Sequence, residues 1–311
     1  VENIIDDVQN NPSKNIMITL NTIKSSLRVY QNLQEKLDIW ENYIIYLSTN
    51  IIPKHRKERI SQIKNNTSWK RIILISTQLI EAGVDIDMDL AYRDFAPIDS
   101  IVQVLWRINR NNKKEKSVLY LFSLVDEDNQ QQPTFGSYIY DPLSLNISKN
   151  IFEGRNIINE RDYKELFDKY FALIQENRSK DTEEKLKNYW YQMQFEDLSR
   201  EFKLIEQTYD TVDIFVSIDE EAEEIRQKFA WISQIKDKFA RKKQWDQLKW
   251  KFLQYVISID AKKVTHCWFN NRELERGLIY QNQDLINKYY DVDIGFNVID
   301  KKDKVLKDKF I

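Results

Sequence analysis

Five short apolar runs, separated by helical patterns, are the feature that most constrains the fold of this chain. Each run is rich in β-branched or aromatic residues and almost continuously apolar, as expected of strands buried on both faces. The runs lie at 16–20, 43–47, 72–75, 90–92 and 118–122. Because strands and helices alternate at this spacing, the sequence predicts an α/β fold with a parallel sheet and flanking helices.

The helical patterns between the runs support this prediction. Ile23, Leu27 and Tyr30 recur at helical spacing after the first run. Pro53 is well placed to begin a helix that extends through Lys64, since proline is favoured at the first helical position. We therefore expect one helix after each of the first two strands.

The character of the chain changes after residue 125. The next segment is polar and interrupted by proline, which indicates a linker over 126–160. Amphipathic stripes at 163–176, 184–205 and 244–259 follow, with strand-like pieces at 212–217 and 294–298. The sequence thus predicts a first domain over 1–125 and a mainly helical C-terminal accessory domain with a few strands over 161–311.

Composition narrows the class of protein. The chain has 311 residues, of which 42% are hydrophobic, so it has the material for two cores. Its net charge of -2 means that nucleic-acid binding needs a local basic patch. A single cysteine, Cys267, excludes an intrachain disulfide. With no leader and no apolar run of membrane-span length, we expect a cytoplasmic protein without membrane contact. Val1 in place of methionine suggests a piece of a longer chain.

The stretch 76–87, Ser-Thr-Gln-Leu-Ile-Glu-Ala-Gly-Val-Asp-Ile-Asp, directly follows a buried strand. Its polar groups should therefore emerge at the carboxyl edge of the sheet, where open parallel sheets bind ligands. Gly83 is the only glycine before residue 126, which suggests that the backbone approaches something closely there. The alternative is an ordinary strand-to-helix turn.

The stretch 97–110, Pro-Ile-Asp-Ser-Ile-Val-Gln-Val-Leu-Trp-Arg-Ile-Asn-Arg, predicts a helix with an apolar stripe. Gln103, Trp106, Arg107 and Arg110 would share its opposite face. Two arginines held by a packed helix suit a polyphosphate. The alternative is a solvated basic face.

These two stretches resemble motifs V and VI of superfamily-2 helicases, whose motif VI reads Gln-x-x-Gly-Arg-x-x-Arg. Together with 92–100, Tyr-Arg-Asp-Phe-Ala-Pro-Ile-Asp-Ser, they are similar to the effector helicase-nuclease of type I CRISPR systems. Residues 20–24 resemble its motif IV, and 48–59 its next signature. The resemblance is dense over 16–112 and thin beyond the linker. It implies the second RecA-like lobe, a parallel sheet with flanking helices, plus the C-terminal domain.

The resemblance also implies roles for individual residues. Arginine fingers would reach the γ-phosphate of ATP, and other groups would face the nucleotide or the phosphates of single-stranded DNA. The fingers are Arg107 and Arg110, with Gln103 beside them. The residues facing the nucleotide are Gly83 and Asp85, and those on the DNA are Thr22, Thr49, Lys54, Arg59 and Thr77.

Several elements of a complete enzyme are missing. No glycine is followed by lysine, so the chain has no P-loop. ATP and Mg²⁺ would thus be held mainly by a missing N-terminal RecA-like lobe, and we expect this chain alone to be inactive. The acidic pair 126–127 comes after motif VI, in the wrong order for a magnesium box. His55 and His266 are the only histidines, too few for the family's nuclease, and we expect no metal site.

One departure from the family pattern concerns motif VI, where Trp106 replaces the glycine. The ring would either obstruct the closed cleft or pack harmlessly into the core. The first function hypothesis is the C-terminal half of an ATP-dependent single-stranded DNA translocase of CRISPR antiviral defence. The second is a non-catalytic module that binds DNA or the CRISPR surveillance complex. A third is another superfamily-2 helicase with a different appended domain.

Overall fold

The fold is that of a computed structural model, which describes residues 2–38, 40–66, 70–81, 83–111, 116–177, 180–201, 211–261, 278–280 and 289–296. Its first half contains a five-stranded sheet in the order β2-β3-β1-β4-β5, and all four pairings are parallel. The strands are β1 Ile16–Thr19, β2 Asn42–Leu47, β3 Arg71–Ser76, β4 Leu90–Asp94 and β5 Val118–Phe122. The predicted α/β fold with a parallel sheet is confirmed, and each of the five apolar runs is a strand.

Helices cover both faces of this sheet. Helices α1 Glu2–Gln9 and α2 Ile23–Lys36 pack on one face, and α3 Pro53–Lys64 and α4 Ile98–Leu105 pack on the other. Side chains alternate between the two faces along each strand, so Ile16 and Ile18 join the first core and Met17 joins the second. The almost continuous apolarity of β1, β3 and β4 follows from this double burial. The edge strand β5 leaves Val118, Tyr120 and Leu121 exposed, so the expectation of burial on both faces is wrong for this strand.

The segment predicted as a linker contains a helix. Helix α5 Pro142–Phe152 begins at Asp141, whose carboxylate accepts a hydrogen bond from the Ser144 amide. With α6 Tyr163–Asn177 it packs against α4, in a cluster that includes Ile98, Val102 and Ile147. This segment therefore packs on the first sheet's own helix, while the division into 1–125, 126–160 and 161–311 stays a prediction.

The second half is helical with short strands. Its elements are α7 Lys180–Tyr191, α8 Phe195–Glu201, β6 Thr211–Phe215, α9 Glu220–Ser233, α10 Lys238–Leu253, β7 Val256–Asp260, β8 Leu278–Tyr280, β9 Tyr290–Asp291 and β10 Gly295–Phe296. Strands pair in the order β7-β6-β8, and β9 pairs with β10. No described helix is long and apolar enough to cross a membrane.

Two of the helical stripes are only partly helices. The stripe 184–205 is interrupted at Met193, whose φ of 56° ends α7 before α8 begins, and 202–205 lies outside the described residues. The stripe 244–259 combines the end of α10 with β7. The apolar spacing of α10 continues into β7, a strand that is only partly buried. Of the predicted strand 294–298, β10 contains 295–296, and 297–298 is not described.

Candidate nucleotide and nucleic-acid site

Three of the predicted DNA-contacting residues lie at the carboxyl ends of adjacent strands. Thr22, Thr49 and Thr77 follow β1, β2 and β3, which are neighbours in the sheet. Thr22 begins α2, where its hydroxyl accepts a hydrogen bond from the Ser25 amide. Thr49 is exposed, Thr22 is partly exposed, and Thr77 is buried. The structure therefore brings the three threonines to one edge of the sheet.

The rest of the motif V stretch leaves this edge. After Thr77 the chain crosses the sheet face, and the Asp89 amide donates to the Asn15 carbonyl at 2.9 Å, beside the start of β1. Asp85 bonds Lys64, the last residue of α3, at 3.2 Å. Since α3 runs back from the carboxyl edge, Asp85 lies towards the amino edge. The expectation that the whole stretch emerges at the carboxyl edge is right for Thr77 and wrong for Asp85.

Gly83 has a left-handed backbone with φ of 74°, which explains the choice of residue. An added Cβ would meet no atom within 4 Å. The close approach inferred from the sequence is therefore absent among the described residues. Conformation and not contact requires glycine here, and the exposed backbone stays open to a ligand.

Helix α4 ends earlier than the sequence pattern indicates. It stops at Leu105, and Asn109 has a φ of 47°. The Asn109 amide donates to the Met88 carbonyl, and the Met88 amide donates to the Arg107 carbonyl. The prediction that Gln103, Trp106, Arg107 and Arg110 share one helical face is wrong, because backbone pairing with the motif V stretch draws 107–109 out of the helix.

The two arginines nevertheless lie against the motif V turn. Arg107 donates from Nε to the Ile80 carbonyl at 3.0 Å and from Nη2 to the Glu81 carbonyl at 2.8 Å. Arg110 Nη1 lies 2.5 Å from Asp85 Oδ1. Hydrogen bonding from Lys64 and the charge of Arg110 lower the pKa of Asp85. Motifs V and VI thus form one surface, in which Arg107 contacts the carbonyl of Glu81 and Arg110 contacts Asp85. Gln103 is partly exposed on α4.

Lys54 and Arg59, the other predicted DNA contacts, bind the second half of the chain. The Lys54 ammonium donates to Asp219 at 2.7 Å, to Glu221 at 2.9 Å and to the Tyr255 hydroxyl at 2.7 Å. An ammonium has three donors, so all are used, and these partners raise its pKa against the effect of burial. Arg59 donates to backbone carbonyls of Tyr46, Val292 and Asp293. Both residues tie the described part of the second half to α3, and DNA contact by either stays a prediction.

Trp106 does not pack into the core. It caps the end of α4, and 65% of its surface is exposed. The alternative that the ring packs into the core is wrong, since most of its surface is exposed among the described residues. The ring projects from the same turn as Arg107.

A buried polar network, not anticipated from the sequence, lies beneath this surface. Arg93 is 0% exposed in the middle of the fold. It donates from Nη1 to the Asn21 side chain at 2.7 Å, and from Nη2 to Glu81 at 2.8 Å and Ser100 at 2.9 Å. Tyr140 also accepts from Nη2, at 2.9 Å. The network connects the ends of β1 and β4 with motif V and with the start of α4.

Burial changes the acidity of the carboxylates in this network. It raises the pKa of Asp94 to about 6, although the Leu124 amide and the Asn21 amide group donate to that carboxylate. Burial likewise raises the pKa of Glu81, and Arg93 offsets part of the effect. The available signal was the Arg93–Asp94 pair at the end of an apolar strand, because charged residues in such a place need partners.

The parallel sheet with helices on both faces has a RecA-like fold, and the two stretches that resemble motifs V and VI form one surface on it. Residues 12–113 match the family model described as "CRISPR-associated nuclease/helicase Cas3, C-terminal". The Cas3 of Methanothermobacter thermautotrophicus is 28% identical over 184 residues, which cover 55% of this chain and 21% of that protein. The Cas3 of Haloferax volcanii is 44% identical over 66 residues, which cover 20% of this chain and 7% of that protein.

Solved structures agree on the fold. The crystal structure of T. fusca Cas3-ADP matches with a TM-score of 0.58 and 15% identity, over 90% of this chain and 37% of that one. A chain of a CRISPR RNA-guided surveillance complex, pre-nicking, matches with a TM-score of 0.54 and 14% identity, over 90% and 39%. The chain thus spans well under half the length of these relatives. Together the matches confirm the resemblance: the chain is similar to the C-terminal part of the type I helicase Cas3.

Proposed function

We propose that this chain is the C-terminal part of an ATP-dependent single-stranded DNA translocase of CRISPR antiviral defence. One observation carries the proposal. Arg107 bonds the Glu81 carbonyl and Arg110 bonds Asp85, residues on either side of Gly83 in the chain, and this surface is separate from the row of threonines at the carboxyl edge. A motor that couples a nucleotide to a nucleic-acid strand needs two such sites on one rigid lobe.

The arginine surface suits the nucleotide. A guanidinium fork matches phosphate geometry, and two of them near an exposed left-handed glycine suit a polyphosphate. In the proposed closed state Arg107 and Arg110 reach the γ-phosphate, with Gln103 beside them. Asp85 then releases Arg110 and binds the ribose of the nucleotide. The N-terminal RecA-like lobe would hold most of the ATP and its Mg²⁺. The similar structures of T. fusca Cas3-ATP, Cas3-ADP and Cas3-AMPPNP support nucleotide binding.

The threonine row suits the backbone of single-stranded DNA. Hydroxyls and backbone amides at strand ends contact phosphates without reading sequence. We place Thr22, Thr49 and Thr77 in this track. Lys54 and Arg59 contact DNA only when their hydrogen bonds to the second half of the chain are broken. For the whole protein we propose that the partners are single-stranded DNA and the N-terminal lobe, in the cytoplasm. The similarity to a chain of the pre-nicking complex supports the CRISPR surveillance complex as a third partner.

The experiment is DNA-stimulated ATP hydrolysis by the complete helicase that contains this chain. Arg107→Ala and Arg110→Ala should each reduce turnover on the order of 10³-fold or more, because an arginine finger stabilises charge in the transition state. Arg161→Ala, an exposed arginine far along the chain, should leave turnover unchanged. DNA affinity should be unaffected in all three. Full turnover by Arg107→Ala, or turnover by this chain alone, would contradict the proposal.

A second candidate, a non-catalytic module that binds DNA or the surveillance complex, is favoured by Trp106. Its exposed ring lies at the end of α4, where motif VI has glycine, on the surface that must close on the other lobe. Trp106→Gly distinguishes the two candidates in the complete helicase. For an obstructed motor the substitution raises turnover, whereas for a non-catalytic module turnover stays absent.

A further inference from the structure

Helix α10 presents an exposed face that carries two aromatic rings with basic residues beside them. Phe239 is 87% exposed and Trp250 is 74% exposed. The residues Phe239, Lys243, Asp246 and Trp250 follow one another at i, i+4, i+7 and i+11, so they lie on one face of the helix. At 1.5 Å per residue the two rings are about 16 Å apart along the axis.

The opposite face of α10 accounts for the helix being held in place. Leu248 and Phe252 are buried, and Trp245 packs between Phe229 and Phe252 with ring centroids 5.4 Å from each. The fold therefore uses the inner face completely. Phe239 and Trp250 lie outside the core, so both rings are available to a partner.

The charge of this face identifies the partner. Helix α10 contains six basic residues and one acidic residue, in a chain with a net charge of -2. Lys242, Lys243 and Lys249 flank the two rings, and none of them forms an ion pair with any described residue. Rings for stacking and cations for phosphates are the combination that binds single strands without sequence preference.

Two other partners fit less well. A protein interface is depleted of lysine at its core, whereas here lysines adjoin both rings. A membrane-bound helix needs a continuous apolar face, but the apolar face of α10 is buried, and Asp246 lies between the exposed rings. We propose that the outer face of α10, formed by Phe239, Lys242, Lys243, Lys249 and Trp250, is a second binding site for single-stranded nucleic acid. It does not depend on the proposed helicase function.

The test is binding of fluorescent dT20 by this chain, measured by anisotropy at several salt concentrations. Phe239→Ala/Trp250→Ala should weaken binding at least about 5-fold at fixed salt, since stacking contributes at least about 1 kcal/mol per base, and should leave the salt dependence unchanged. Lys242→Gln/Lys243→Gln should lower the slope of log affinity against log salt by about 1.4, since each phosphate contact on a single strand contributes about 0.7.

Matched controls lie on other helices. Trp190→Ala removes an exposed ring from α7, and Lys164→Gln/Lys169→Gln removes two exposed charges from α6; neither should change binding. Unchanged affinity in both α10 variants overturns the inference. The inference is also overturned if Phe239→Ala/Trp250→Ala changes only the sedimentation of the chain with anionic vesicles, or only the mass of its oligomers, and leaves dT20 binding unchanged. Thr22→Val/Thr49→Val tests the proposed DNA track separately. Either proposal can therefore be rejected without rejecting the other.

Discussion

At the scale of single residues, Arg93 organises the interior of the first half. Its guanidinium joins Asn21, Glu81 and Ser100, and the backbone carbonyl of Glu81 in turn holds Arg107. The position of a proposed catalytic arginine thus depends on a largely buried ion pair, in which Arg93 is 0% exposed and Glu81 is 11% exposed. Removing either charge leaves the other without compensation in a place from which water is excluded.

We expect Arg93→Met to lower the free energy of unfolding by about 3–5 kcal/mol, because it leaves Glu81 buried without its cation. The double variant Arg93→Met/Glu81→Gln should recover part of the loss. Arg28→Met breaks the exposed pair with Asp128 and should cost at most about 1 kcal/mol. Urea unfolding measures all three. Equal losses for Arg93→Met and Arg28→Met would show that the buried pair has no special importance.

Asp94 should make stability depend on pH. Its pKa is raised to about 6 in the folded chain, against about 3.9 when unfolded. Between these values the folded chain binds more protons, so this group stabilises the fold at low pH, and that contribution is lost as pH rises through about 6. Asp94→Asn should abolish about 1 kcal/mol of the difference in unfolding free energy between pH 5 and pH 7. An identical pH dependence in both proteins would contradict the assignment. Glu81 is unchanged in the variant and contributes equally to both.

At the scale of elements, the residues within α4 pack into the core, and the residue at its end is exposed to solvent. Ile101 is 2% exposed inside the helix, and Trp106 is 65% exposed at its end. Spacing alone placed both on a continuous helix, because helical periodicity carries no information about the pairing of Met88 with Ile108. That pairing joins residues distant in sequence and ends the helix one turn early.

Trp106→Ala should therefore change the free energy of unfolding by less than about 0.5 kcal/mol, since no packed contact is lost. Ile101→Ala in the same helix should cost about 2–5 kcal/mol, because it leaves a cavity in the core. Thermal and chemical unfolding of the two variants measures the contrast. A large loss for Trp106→Ala would mean that the ring is covered in solution.

At the scale of the whole molecule, the two halves are joined by specific contacts. Asn50 donates from its side chain to the Ile294 carbonyl at 2.6 Å, and the Phe296 amide donates to the Asn50 carbonyl at 2.8 Å. Gly295 lies between these bonds. A Cβ there would come within 2.4 Å of the Asn50 carbonyl oxygen. Hairpin β9–β10 therefore docks beside β2 only because residue 295 has no side chain.

Gly295→Ala should destabilise this junction more than Gly154→Ala. Both glycines are left-handed, with φ of 79° and 73°, so each loses about 1–2 kcal/mol from backbone strain. Only Gly295 also meets backbone, which should add about 1–3 kcal/mol. Calorimetric unfolding gives the difference, and limited proteolysis near residue 295 should show the hairpin released. Similar losses in both variants would mean that the contact is not maintained in solution.

The sequence by itself determined the parallel sheet, its five strands and the threonines at its carboxyl edge. Short apolar runs and the direction of the chain are local properties, so the strands and the residues that follow them can be read from the sequence. Tertiary structure decided the buried partners of Arg93, the ion pairs of Lys54 with Asp219 and Glu221, and the early end of α4. Each of these depends on which distant groups meet once the chain is folded. A charge in the sequence looks the same whether its partner proves to be solvent, phosphate or a carboxylate far along the chain.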